Sequence, residues 1–144
     1  MRELYTYQPH GQSGTVLTFL HQLEPKLREK LLWQFFRLSC SQLCQLREPH
    51  FKHFTLERYK DLYELRIKNK MLIRIIFTLR PNGDAILLHA FFKKQNRDTN
   101  QALEQALRIL ADLREHPAVP YEEDEVTRII QDDVNEKTYA AIRN

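Results

Sequence analysis

Apolar residues recur at helical spacing in two segments near the start of the chain. A Gly/Ser turn at residues 11–14 is followed by an apolar series typical of a helix, formed by Val16, Leu17, Leu20 and Leu23. Pro25 then predicts the first turn of a second helix, where its fixed φ angle and missing N–H are tolerated. The apolar stripe of this second helix consists of Leu27, Leu31, Leu32, Phe35, Phe36, Leu38 and Leu43. The two segments predict a helical hairpin with one buried face.

The middle of the chain changes to the pattern of β-strands. Alternating and near-continuous apolar runs predict three consecutive strands over residues 62–68, 71–79 and 85–93. The Asn-Gly pair at 82–83 is a strong signal for a hairpin turn between the last two strands. The short connections favour an antiparallel meander, covered on at least one face. Residues 3–7 are a further candidate for a short strand.

Between the helices and the strands, residues 47–60 (REPHFKHFTLERYK) lose this periodicity and predict a loop. Aromatic rings alternate there with positively charged or titratable side chains, a composition that suits stacking on unpaired bases. The candidates for RNA contact in this loop are Lys52, His53, Arg58 and Lys60. The alternative is that Phe51 and Phe54 anchor the loop to the core while its charges are merely solvated.

The last third of the chain predicts one helix and an acidic extension. Asp98, with Gln101 three residues later, resembles a capping box, and an amphipathic pattern follows to about Arg114. The prolines of HPAVP, residues 116–120, end that helix. Beyond them an acidic, amphipathic segment predicts another helix. We therefore expect a domain over residues 1–115 and a separate extension over residues 116–144.

Composition and charge narrow the class of protein. The 144 residues are 42% hydrophobic and suit one domain with a sizeable core. We find no apolar run of the ~20 residues that a membrane helix needs, and the N-terminus lacks a signal-peptide pattern, so we expect a cytoplasmic protein. Cys40 and Cys44 lack a second pair of ligands, and we expect buried, reduced thiols rather than a metal site.

The net charge of +3 hides a division along the chain. Residues 1–114 contain 19 Lys and Arg against 11 Asp and Glu, a balance of +8, whereas residues 115–144 have a balance of −5. A basic body favours polyanionic partners. The acidic extension either folds back over the basic groove or is an unrelated structural addition.

Two arginines on neighbouring predicted strands are the strongest candidates for chemistry. Strand alternation places Glu64, Arg66 and Lys68 together on one face of the sheet. Arg74 interrupts the apolar run MLIRIIF and needs either a carboxylate, with Glu64 the obvious partner, or a solvated groove. As a pair, Arg66 and Arg74 have the character of a phosphate clamp. Side chains that point apart, or that are each locked to an internal carboxylate beneath packed side chains, would contradict this hypothesis.

The third strand, in ILLHAFFKKQNRD, ends in Lys93 and Lys94. Alternation sends the two lysines to opposite faces, so only one of them joins the arginines. His89 is either a hydrogen-bonded core histidine or a proton carrier. We find no Gly-rich phosphate loop, CxxC pair, HExxH or GxSxG motif, and we expect neither a cofactor nor a metal.

These motifs together resemble one family. LYELRI, the arginine-bearing RIIF strand, ILLHAFFKKQNRD and the helix beginning NQALEQALR are similar to the phage-derived HigB-like branch of the RelE/ParE toxin superfamily. The upstream GTVLTFLHQL and PKLREKLLWQF resemble the helical hairpin of the same branch. The resemblance covers roughly residues 14–114 and implies a RelE-like α+β fold, with a helical hairpin packed on a small antiparallel sheet.

The resemblance also implies a function. It implies the toxin of a type II toxin–antitoxin system that cleaves mRNA on the ribosome, with a helix-turn-helix antitoxin encoded by an adjacent gene. Cations would stabilise the scissile phosphate while the RNA 2′-hydroxyl attacks. Arg66 and Arg74 match basic positions of the family's RNA-binding face, and Lys93 and Lys94 match its basic pair after the last strand. We therefore expect Arg66, Arg74, Lys94 and His89 to be catalytic, and Lys93, Lys68 and the loop candidates to bind RNA.

Two departures from the family pattern leave alternatives open. RelE-type relatives place a tyrosine near the start of the last helix, where this chain has RDTNQ, and the acidic extension lies outside the pattern. Proton transfer then falls to His89, a lysine or a loop histidine such as His53. The alternative function is a RelE/ParE-fold binding or inhibitor protein without nuclease activity, for example a degenerate phage-derived accessory protein.

Overall fold

The computed structural model of the chain describes residues 1–122 and has a mixed α+β fold. The strands are β1 (Leu4–Thr6), β2 (Phe51–His53), β3 (Leu62–Lys68), β4 (Leu72–Leu79), β5 (Ala85–Lys93) and β6 (Val119–Pro120). The helices are α1 (Gly14–Gln22), α2 (Pro25–Cys40) and α3 (Asn96–Asp112). The predicted α+β class and the bounds of the central strands are therefore confirmed to within about one residue.

The strands form a single sheet in the order β2-β3-β4-β5-β1-β6. The predicted meander β3-β4-β5 is antiparallel and lies at the centre, with β2 antiparallel to β3. β1 runs parallel to β5, and β6 lies antiparallel to β1 at the other edge. The expectation of a small antiparallel sheet is wrong on both points, since the sheet within residues 1–122 has six strands and includes a parallel pair.

Apolar residues form one core on each face of the sheet. On the first face, Leu31 and Phe35 of α2 and Leu20 of α1 pack with β-strand residues such as Leu65 and Ile75. On the second face, α3 buries a stripe against Ile76, Ile86 and Leu88, a stripe formed by Ala102, Leu103, Ala106 and Ile109. Strand alternation accounts for the division, because neighbouring residues of β4 point to opposite faces.

Residues 47–60, predicted as a loop, include a short strand. Phe51 of β2 pairs with Leu65 of β3, and both Phe51 and Phe54 are buried. These two rings anchor the segment to the core, as the second interpretation of the aromatic pattern expected. A three-residue strand is too short to give a periodic signal, which explains why the sequence did not reveal it.

α3 begins two residues before the predicted cap. Asp98 is the third residue of the helix, and its Oδ2 accepts hydrogen bonds from the N–H groups of Lys94 and Gln95 at 2.8 and 2.9 Å. Its carboxylate therefore satisfies backbone donors ahead of the helix instead of donors within the first turn, as an N-cap would. The sequence therefore predicted the helix α3 correctly but placed its start too late.

Two other predictions from the sequence need correction or lie outside the described residues. Cys40 and Cys44 are free thiols, as expected, but both are exposed rather than buried. The predicted acidic helix falls on residues 123–144, which lie outside the described part of the chain. Residues 119–120 add β6 to the sheet beside β1.

Within residues 1–122, no helix has the length and apolar character needed to cross a bilayer.

Candidate functional site: a cationic cavity beside β3

Arg66 and Arg74 lie directly opposite each other on β3 and β4. The antiparallel register pairs Arg66 with Arg74 and pairs Arg74 in turn with Phe91 of β5. Residues in register share a face of the sheet, so the two guanidinium groups point to the same side. The predicted convergence of the two arginines is present in the structure.

A single buried carboxylate holds both arginines. Oε1 of Glu64 lies 2.9 Å from Nε of Arg66 and 3.4 Å from Nε of Arg74, and the Glu64 side chain is only 1% exposed. The other oxygen of this carboxylate, Oε2, is buried without a hydrogen-bond partner. Arg74 also donates from Nη1 to the carbonyl oxygen of Ile73 at 3.1 Å. The partner that the sequence suggested for Arg74 therefore serves both arginines.

The two arginines differ in their access to solvent. The Arg74 side chain is 11% exposed, and burial, opposed by the negative charge of Glu64, lowers its pKa. The Arg66 side chain is 22% exposed and reaches outward to Oε1 of Glu48 at 3.2 Å. Arg66 is thus the more accessible donor, while Arg74 is fixed behind it.

Both arginines line a cavity of about 530 Å³ at the edge of the sheet. α2, the segment before β2, and the strands β3 and β4 contribute its walls, which consist of Lys30, Trp33, Gln34, Glu48, Pro49, His50, Arg66, Ile67, Lys68 and Arg74. Four of these side chains are cations and one is a carboxylate. A concave site with such an excess of positive charge attracts anions. We call it the arginine cavity.

Two residues with titratable side chains line the arginine cavity beside Arg66. Burial, assisted by the nearby charge of Arg37, lowers the pKa of His50 and favours its neutral imidazole. The carbonyl oxygen of His50 accepts a hydrogen bond from the N–H of Arg66 at 2.8 Å, which fixes the segment beside β3. Glu48, two residues earlier, is paired with Arg66 and has a 68% exposed side chain.

Three cations of residues 47–60, namely Lys52, Arg58 and Lys60, have partners of their own. Arg58 forms a bidentate ion pair with Glu104 of α3, which lowers the pKa of that carboxyl to about 2. Lys60 pairs with Glu57 at 2.9 Å, and Nζ of Lys52 lies 5.3 Å from the centre of the Phe54 ring.

His53 belongs to the same segment and is held by contacts with Tyr63 and Lys60. Its ring stacks on Tyr63 with centroids 4.2 Å apart, and its Nε2 lies 2.6 Å from the carbonyl oxygen of Lys60. Neither His53 nor the cations Lys52, Arg58 and Lys60 line the arginine cavity, whereas Lys68 does.

The remaining predicted site residues are distributed over β5 and its end. Lys93 pairs in register with Leu72 and shares the face of Arg74, as alternation predicted for one of the two lysines. Lys94 is exposed ahead of α3. Neither lysine is among the residues that line the arginine cavity.

His89 lies at a separate place. Its Nδ1 is 3.3 Å from Oγ1 of Thr15 on α1, and burial lowers its pKa. It lines a different cavity of about 660 Å³ between α1 and α3, together with Phe19 and Gln105. A half-buried imidazole hydrogen-bonded to a hydroxyl agrees with the core-histidine interpretation.

A group of possible metal ligands occurs at the end of α3. One ligand atom from each of Asp112, Glu115 and His116 lies within 4.8 Å of the others. The Asp112 carboxylate is already engaged, because it accepts hydrogen bonds from the hydroxyl of Tyr7 and from His116. Its bond with Tyr7 raises the pKa of that phenol to about 12. We interpret this group as a hydrogen-bonded connection between α3 and the N-terminal segment.

Sequence reasoning missed several residues of the arginine cavity. Glu48 and His50 lay in a segment predicted as a loop, and only the backbone pairing beside β3 brings them to Arg66. Lys30, Trp33 and Gln34 occupy positions i, i+3 and i+4 of α2, which share a helix face. That spacing predicts a shared helix face for the three residues, but the neighbouring apolar stripe was the stronger pattern and this face was not recognised.

Fold and site together define a mixed α+β domain with a cationic cavity at the edge of its sheet. Residues 18–111 match the model of a family described as phage derived protein Gp49-like (DUF891). The chain belongs to this Gp49-like family, which is part of the RelE/HigB-like toxin family. Assignment to the HigB-like branch in particular stays a prediction.

Curated proteins of another kind share a segment with the chain. The chain is 36% identical over 87 residues to the ethanolamine ammonia-lyase large subunit of Salmonella typhimurium. This match covers 60% of the chain and 17% of that protein. The corresponding subunit of Escherichia coli K12 is 34% identical over 87 residues, with the same coverage. The chain thus spans 17% of the length of these relatives.

Proposed function

We propose that this chain is the toxin of a type II toxin–antitoxin pair and that it cleaves mRNA bound to the ribosome. Membership of the Gp49-like family supports a toxin with an antitoxin partner, and this family is associated with toxin endoribonucleases. The observation that carries the proposal is the arrangement of Arg66 and Arg74, which face one cavity with Lys30 and Lys68. A helical hairpin of α1 and α2 on the sheet would complete the RelE-like arrangement.

The proposed reaction is a transfer within the RNA strand. The 2′-hydroxyl oxygen attacks the adjacent phosphorus, the bond from phosphorus to the 5′-oxygen breaks, and a cyclic phosphate and a 5′-hydroxyl result. Negative charge accumulates on the phosphoryl oxygens in the transition state, and guanidinium donors stabilise it. In this proposal Arg66, the more exposed of the two arginines, makes this contact directly, and Arg74 supports it from the buried side.

Proton transfer in this proposal involves the two titratable groups beside Arg66. The 2′-hydroxyl loses a proton and the departing 5′-oxygen gains one, so one base and one acid are needed. Glu48 is suited to be the base because its carboxylate pairs with Arg66 and is open to solvent. His50, a lysine of the cavity or a water molecule then supplies the proton for the 5′-oxygen. The predicted roles of His89 and Lys94 require RNA to reach beyond the cavity.

The experiment for this function compares Glu48→Gln with Arg66→Ala. After induction in bacteria, primer extension locates new 5′ ends in mRNA. We expect ends with the wild type, strongly reduced cleavage but retained ribosome association with Glu48→Gln, and loss of both with Arg66→Ala. Lys26→Ala, an exposed position of α2 outside the cavity, is the matched control and should cleave normally.

A second candidate function is a protein that binds and inhibits a target without cutting RNA. The observation that favours it is Glu64, because a buried carboxylate already compensates both arginines and limits what they offer a phosphate. Growth arrest that persists with intact mRNA, and that survives Arg66→Ala, would select this second function.

A further inference from the structure

We propose that the arginine cavity contains a nucleobase subsite built by Trp33 and Gln34 of α2, next to the position of the phosphate. This inference rests on the proposed function, since it concerns how the same site would hold RNA. The sequence placed base stacking on the rings of residues 47–60, but Phe51 and Phe54 are buried in the two cores. Trp33 has the largest aromatic ring among the residues that line the cavity.

The position of Trp33 suits stacking. It is partly buried against the first core and meets the ring of Phe36 edge to face, with centroids 6.3 Å apart. A ring fixed in this way loses little further conformational freedom when a base stacks on it. Pro49 and Ile67 line the same cavity and add apolar surface. Stacking on such a platform accepts any base, because every base has a π face.

Gln34 supplies a polar group with no partner. It lines the cavity beside Trp33, and its Oε1 is buried without a hydrogen bond. An amide in this condition gains a hydrogen bond by turning toward a ligand, because a buried polar atom without a partner is costly. An amide offers both a donor and an acceptor, which matches the edge of a nucleobase.

Size and charge agree with a nucleotide as the occupant. The cavity of about 530 Å³ lies in the range of small-ligand sites, which is roughly 300–1,000 Å³. Four cations line the same cavity as Trp33, Pro49 and Ile67, so a negatively charged backbone and a flat base can be accommodated at one place. An acidic peptide would satisfy the cations but would leave the Trp33 platform and the Gln34 amide unused. We therefore commit to single-stranded RNA.

The chain offers a direct probe, because Trp33 is its one tryptophan. Emission is recorded at low salt while the full chain is titrated with a short single-stranded RNA that carries 2′-O-methyl groups and is not cleaved. The titration is repeated with a series of RNAs of the same length, each of which lacks the base at one position. We expect a saturable change in Trp33 emission, and an affinity roughly 5- to 150-fold lower for the RNA that lacks the stacked base.

Variants provide the second measurement, the binding of labelled RNA by anisotropy. Trp33→Leu should weaken binding by a similar factor while leaving its salt dependence unchanged, since no cation is removed. Tyr5→Leu, which replaces a partly buried ring of β1 outside the cavity lining, is the matched control and should bind as the wild type does. Gln34→Leu should alter the preference among bases more than the overall affinity.

The results separate the two proposals. RNA binding that depends on Arg66 and on salt, without an emission change and without loss for the RNA lacking a base, overturns the subsite and leaves the proposed function standing. Absence of any binding that depends on Arg66, whether to free RNA or to ribosomes, overturns both. If Trp33→Leu fails to fold, the emission titration and the base-deleted RNA on the wild type still decide.

Discussion

Replacement of Glu64 by glutamine should lower the free energy of unfolding by about 3 kcal/mol. The variant keeps the size of the side chain but removes the negative charge that lies 2.9 Å from Arg66 and 3.4 Å from Arg74. Both guanidinium groups would then face each other across neighbouring strands without a shared counter-ion.

The magnitude follows from the burial of the three side chains. Removal of one partner from a buried ion pair costs about 3–5 kcal/mol, because the remaining charge is left without compensation. Glu64 is 1% exposed and Arg74 is 11% exposed, so Arg74 has no easy route to water. Arg66 is 22% exposed and retains Glu48, which reduces its share of the loss. The expected value therefore lies at the lower end of that range.

The assay is urea unfolding at pH 7, followed by circular dichroism. With a slope of about 1–3 kcal/mol per M, a loss of this size moves the midpoint by roughly 1–3 M. Glu57→Gln is the matched control, because Glu57 has an 87% exposed side chain and pairs with Lys60 at the surface. A midpoint for Glu64→Gln equal to that of Glu57→Gln would refute the role of Glu64 as counter-ion.

Three further predictions concern charge. Arg66→Lys should retain part of the RNA affinity that Arg66→Ala loses, with a salt dependence close to that of the wild type, because lysine keeps the charge but not the bidentate geometry; equal loss in both would assign the effect to shape. Since Arg58 lowers the pKa of Glu104 to about 2 from 4.5, this carboxylate contributes stability above pH 4.5 that is lost as the pH falls toward 2. Thermal melts of Glu104→Gln should therefore lose less stability over that range than the wild type does, and an identical pH profile would contradict the pairing. Removal of residues 123–144, which carry a net charge of −3, should tighten RNA binding mainly at low salt, and unchanged binding would leave that segment a structural role.

The sequence predicted the elements whose signals are periodic and long. Strands β3, β4 and β5 and helices α1 and α2 each carry several buried apolar residues at fixed spacing, and the Asn-Gly turn fixed the last hairpin. β2 and β6 have three and two residues and depend on pairing with β3 and β1, which local sequence does not encode. The parallel pairing of β1 with β5 is likewise a long-range contact that the local sequence does not encode.

The candidate site was predicted in part for the same reason. Alternation within β3 and the charge inside β4 were sufficient to select Arg66, Arg74 and their partner Glu64. The other walls of the cavity come from segments distant in sequence, and Glu48 and Trp33 reach it only through the tertiary fold. Cys40 and Cys44 were misjudged because the helix ends at Cys40 and the next turn faces solvent.

The measurement that tests the central claim most directly is primer extension on cellular mRNA after induction of the wild type, of Arg66→Ala and of Arg114→Ala. Arg114 is an exposed arginine that follows α3, so its loss removes the same charge away from the arginine cavity. We predict new 5′ ends within coding sequences for the wild type and Arg114→Ala, and none for Arg66→Ala. Growth arrest with intact mRNA in all three, or an unchanged cleavage pattern in Arg66→Ala, would contradict an RNA-cleaving site at Arg66.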